Sequence, residues 1–172
     1  MHKARLPRQD DLDDAVQKSA FTPGGMSEAD PAYFGYWSKE DVLHFLRDLL
    51  ETERIGIRAF AAIGRAADVH IADLAFESEL AQGAICVLLK KEIAARGSAG
   101  SLRQSQKNVV AMPNPTFGLQ RTLTFARCNQ TGLADMIEQA VLNIFDSKLN
   151  TKLMYLLLLH RKQVEQLETF LI

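Results

Sequence analysis

The spacing of its apolar residues constrains this chain more than any other feature. Over about 25 residues at a time they recur at three- and four-residue steps, the period of a helix face, and runs of that length are far too long for strands. Four such segments follow one another. The 10 glycines and 5 prolines among 172 residues seldom interrupt them, and most of the breaks fall in Thr22 to Pro31 and Gly97 to Gly118. The first segment opens at Ser38, whose hydroxyl suits the free N–H groups of a first helical turn, with Asp41 three residues on, and it runs to about Gly64. The second runs from about Asp68 to Arg96 and stops at Gly97, a residue type that ends helices. The third begins near Phe117 to Leu119 and reaches Phe145, with a break at Asn129 to Gly132 left open; the fourth starts with Asp146 or Ser147 as its cap and continues to the C-terminus.

The first and second segments are joined by only a few residues, as are the third and fourth, so each pair is expected to form an antiparallel hairpin of helices. The connection between the hairpins, Gly97 to Thr116, is about 20 residues long and holds Asn114 between Pro113 and Pro115, which suits a crossover or a flap over the bundle edge. The sequence therefore predicts an all-α, up-and-down four-helix bundle over residues 38–172. Residues 1–37 read as an extended N-terminal arm, whose apolar material is Tyr33, Phe34, Tyr36 and Trp37. These rings are expected to cap the bundle's own core, with a dimer contact as the alternative.

Composition narrows the function. With 20 Lys+Arg against 21 Asp+Glu the formal net charge is −1, and no long basic run occurs, so nucleic acid is not an expected partner. Cys86 and Cys128 are too few for a disulfide framework and fall in apolar stripes, which predicts two buried free thiols in a reducing compartment. Met1 to Asp14 is polar and charged, unlike an export leader, and the apolar run Leu153 to Leu159 is short of the ~20 residues a membrane span needs. A cytoplasmic protein with no membrane partner is the expectation.

Polar residues interrupt the inward stripes at one level. In helix one, Glu53 lies among Val42, Leu46, Leu49, Leu50, Gly56, Ile57, Phe60 and Ile63, beside a glycine that lets another group approach, whereas Glu51 faces Arg47 and Arg54 and is expected to be solvated. A buried carboxylate must be neutral, paired or bound to a cation. Ser78 and Gln82 share the stripe of helix two, with Glu79 about a quarter-turn away; Gln130 joins the stripe of helix three if that helix is continuous; and His160 stands on the seam of helix four. Glu53, Gln82 and His160 are each ~20 Å from their helix start, so in a bundle they meet in one central layer. His44 and His70 read as surface, and no Gly-x-Ser-x-Gly elbow is present.

Four long helices with a glutamate midway along the first and a histidine midway along the last resemble the ferritin-like superfamily. More narrowly, Leu49-Leu50-Glu51-Thr52-Glu53-Arg54-Ile55-Gly56, then Gln82 to Ile93 leading to Gly97, then Asn129-Gln130 and His160, are similar to a family of small uncharacterised bacterial ferritin-like proteins, over residues 38–172. That family brings no established activity. The superfamily's di-iron enzymes use a Glu from each of two helices and Glu-x-x-His from each of the other two. Glu53 matches the first glutamate, but no Glu-x-x-His occurs, so two irons are not expected.

The leading expectation is a Glu53–His160 hydrogen-bonded pair, with Ser78, Gln82 and Gln130 satisfying what remains, in a non-catalytic binding or structural module. One alternative is a metal-dependent oxidoreductase holding a single Fe, Mn or Zn ion on Glu53, His160 and Glu79, with Glu138 a more distant candidate; another is a small organic ligand against Gln82 and Gln130. Helix four is apolar around more than half its circumference near Tyr155 to Leu159, which predicts cover by the arm or by a second copy in a homodimer.

Overall fold

A computed structural model describes residues 32, 35–97 and 118–171. Four helices account for nearly all of them: α1 (Lys39–Ala66), α2 (Val69–Arg96), α3 (Leu119–Asn143) and α4 (Ser147–Glu168). The starts follow the capping chemistry of the sequence. Ser38 and Asp41 form a reciprocal capping box at α1, Asp68 accepts from His70 and Ile71 at α2, and Asp146 accepts from Lys148 and Leu149 at α4. α3 opens instead at Gly118, which has φ +80° and no side-chain cap. α2 ends at Gly97 as expected, but at φ −87° this glycine is extended and makes no left-handed turn.

α3 is continuous through Asn129 to Gly132. A mid-helix glycine costs about 1 kcal/mol against alanine, and Gln130, Leu133 and Ala134, all buried around it, hold the helix against the core. The C-terminal carbonyls of α3 gain a partner from the next helix, because Asn150 donates to Ile144 O at 2.7 Å and to Val141 O at 3.3 Å.

α1 packs most extensively on α2 and also on α3, and α3 packs on α4. Lys152 of α4 reaches Glu92 of α2 and closes the ring. The core falls into two clusters. One unites Leu46 and Leu49 of α1, Leu89 of α2, Ile137 of α3 and Leu153 of α4; the other unites Phe60 and Ile63, Ala75, Leu123 and Ala126, and Leu167. α1 and α4 therefore run from the first cluster to the second, and α2 and α3 run back. Each hairpin is antiparallel, whereas the ends joined by residues 98–117 lie at opposite ends of the bundle. That is the crossover topology of ferritin-like architecture, with which the all-α four-helix bundle is consistent.

Tyr36 packs on Phe145 with tilted rings 5.2 Å apart between centroids, Trp37 likewise on Phe45 at 5.5 Å, and the Trp37 backbone N–H donates to Asn143 O at 2.8 Å. These two aromatics cap their own bundle. Tyr33, Phe34, residues 1–31 and the Pro113-Asn114-Pro115 segment lie outside the described residues. No helix among the described residues is long and apolar enough to cross a membrane.

Candidate functional site: a polar layer between two apolar clusters

Glu53, Gln82, Gln130 and His160 come one from each helix, and all four are 0% exposed. They lie between the two apolar clusters, with Ser78 and Gln163 buried about one helical turn nearer the second cluster. His160 is the centre. Its Nδ1 is 2.7 Å from Gln130 Oε1 and its Nε2 is 2.8 Å from Glu53 Oε1. An amide oxygen can only accept, so with Gln130 in this orientation Nδ1 carries a hydrogen. Nε2 then either carries the second hydrogen of an imidazolium facing a carboxylate, or receives one from a carboxylic acid. The Nε2–Oε1 contact is not aligned as a hydrogen bond, which leaves both Glu53 oxygens and Nε2 unpartnered by that criterion.

Gln82 enters the layer through the gap above Gly56. A Cβ at Gly56 would lie 2.6 Å from both Nε2 and Oε1 of Gln82, so only glycine lets the amide lie against α1 one turn beyond Glu53. Neither terminal atom of Gln82 has a hydrogen-bond partner, nor has Gln130 Nε2. Gly56→Ala sets a helix-propensity gain of about 1 kcal/mol against an overpacking cost of about 1–3 kcal/mol. Because Gln82 is 0% exposed, any displacement of its amide is taken up inside the core, and the expected result is net destabilisation. Adding Gln82→Ala removes the clash, so chemical denaturation of the four proteins in the cycle should show strong non-additivity; additive effects would mean that the amide does not lie on Gly56.

The layer brings together the predicted Glu53, Gln82, Gln130 and His160 but not Glu79, which is partly exposed on α2, nor Glu138, which is exposed and pairs with Arg161 at 2.8 Å. Among the described residues no group of three or more His, Cys, Asp or Glu side chains converges as metal ligands. Glu51 pairs with Arg54, and His44 and His70 are exposed, as expected. Cys86 is buried, and burial, with the Glu53 carboxylate second, pushes its thiol up. Cys128 is exposed, contrary to expectation; the buried stripe of α3 runs through Leu123, Ala126 and Gln130 and leaves position 128 on the outer side.

Sequence reasoning missed a second buried acid. Glu92, 7% exposed, bridges Arg96 of its own helix and Lys152 of α4, and Arg96 continues to Asp146 at 2.5 Å. Burial pushes the Glu92 carboxyl up, but hydrogen bonds from Lys152 and Arg96, with their charges, more than reverse this and hold it below its ordinary 4.5. The legible signal was the four-residue spacing from Glu92 to Arg96; the partner on α4 had none.

Fold and site together define a helical bundle with a closed polar centre. No known protein family, curated protein or solved structure matches the chain.

Proposed function

We propose that this chain is a non-catalytic binding or structural module of the ferritin-like superfamily, cytoplasmic and homodimeric, whose central layer sets the register of its four helices. The observation that carries this reading is His160, fully buried, hydrogen-bonded to Gln130 through Nδ1 and facing Glu53 Oε1 at 2.8 Å through Nε2. Apolar contacts are non-directional, whereas a buried acid and imidazole cannot be separated without leaving buried polar groups unpaired. Their complete burial favours action on the bundle itself over turnover of a substrate that must enter and leave.

A single Fe, Mn or Zn ion in a metal-dependent oxidoreductase is the second reading, favoured by one observation. Both Glu53 oxygens and His160 Nε2 lack hydrogen-bond partners while Nδ1 is fixed by Gln130, and such a fixed ring orientation is typical of metal-bound imidazoles. The donor set fits such an ion poorly. One carboxylate and one imidazole fall short of the three protein ligands of a catalytic zinc site, and the amide of Gln82 is a weak further donor. Metal analysis of protein purified without chelator distinguishes the readings. The expected result is no stoichiometric metal, together with imidazole ¹⁵N shifts showing a hydrogen on Nδ1; stoichiometric Fe, Mn or Zn that disappears in His160→Ala replaces the first reading with the second.

A further inference from the structure

α2 is apolar on two opposite faces. Ala75, Ile85, Cys86 and Leu89 are buried against the core, while Val69, Phe76, Leu80 and Val87 are 65%, 60%, 59% and 67% exposed. At ~100° per residue the four exposed positions fall within about 40° of one another, so they form a straight stripe about 27 Å long on the outer side of the helix. Their steps of seven, four and seven are those of a coiled-coil seam, unlike the scattered single apolar residues that any surface carries.

The spacing also reads the same in both directions. Val69 precedes position 78 by as much as Val87 follows it, and Phe76 precedes it by as much as Leu80 follows. A two-fold interface must be complementary to itself, and an antiparallel pair of α2 helices centred at position 78 meets that condition. Val69 then lies over Val87 of a second copy, and Phe76 over Leu80. Gly83, where a Cβ would meet nothing within 4 Å, leaves room for the Phe76 ring. A partner of unrelated sequence would require no such symmetry.

We infer that the outer face of α2 is a homodimer interface, in which two copies pair this helix antiparallel about a two-fold axis at position 78. The inference rests on the two-copy reading above and moves its surface from the Tyr155 to Leu159 side of α4 to α2. Glu77 and Glu79 of both copies border the axis, so added sodium chloride, which screens like charges, tightens the pair.

Light scattering on the full chain at tens of micromolar is expected to return twice the chain mass. Phe76→Glu combined with Leu80→Glu changes only exposed positions and is expected to return the chain mass with unaltered circular dichroism. A second measurement does not depend on that variant. In a Cys128→Ser background, which removes the exposed native thiol, Val69→Cys and Val87→Cys proteins are oxidised separately and as a mixture. A disulfide-linked heterodimer is expected in the mixture and no linked homodimer in either alone. The chain mass throughout would overturn both the two-copy reading and this interface; a dimer that survives Phe76→Glu with Leu80→Glu, or linked homodimers of the single variants, would overturn the interface alone.

Discussion

His160→Leu is expected to lower the unfolding free energy by about 3–5 kcal/mol, the usual cost of removing one member of a buried ion pair. Glu53 would then be a fully buried acid without the imidazole it now faces. Adding Glu53→Met should return at least half of the loss, because the acid without a partner is gone. Gln130, whose oxygen no longer meets the imidazole, would keep about 1–3 kcal/mol of the deficit. Denaturant titration of the four proteins checks this. Single and double losses that simply add would show that the acid and the imidazole are not coupled, and the register role of the layer would fall with that result.

The second large effect lies at the other buried acid. Glu92→Gln is expected to lose about 2 kcal/mol at neutral pH, between the values for exposed and fully buried pairs, since Arg96 and Lys152 keep 23% and 43% of their side-chain exposure. The pH dependence follows from the sign of the shift. Glu92 titrates below 4.5 in the folded chain, so its contribution is complete above pH 4.5 and is lost as the pH falls through the lower, folded value. Asp146 acts in the same direction below its ordinary 3.8; burial raises it, but the Leu149 and Lys148 N–H groups and Arg96 outweigh burial. Stability of the native chain should therefore fall on acidification below about pH 4.5, and the gap to Glu92→Gln should close over the same range. A constant gap would place the effect outside the Glu92 charge.

Helix existence and helix ends were legible because they are local. The three-and-four spacing, Ser38 with Asp41, and Asp146 act within one turn of chain, and those two caps form where the sequence places them. The central layer was legible for a related reason. Glu53, Gln82, Gln130 and His160 each interrupt an apolar stripe near mid-helix, and helices of 28, 28, 25 and 22 residues packed side by side bring their middles together. The continuity of α3 was not legible, since a glycine's local preference is overridden only by the burial of the residues around it.

What the sequence by itself determined, then, is the set of helices, their caps and the polar interruption of their inner faces, all governed by the 3.6-residue period. Tertiary structure alone decided the rest. It set α2 and α3 parallel, turned the imidazole between Gln130 and Glu53 while leaving Glu79 outside, and joined Glu92 to a lysine 60 positions away. These choices depend on the rotation of each helix about its axis. That rotation settles which side chains meet, and it follows from the packing of all four inner faces at once.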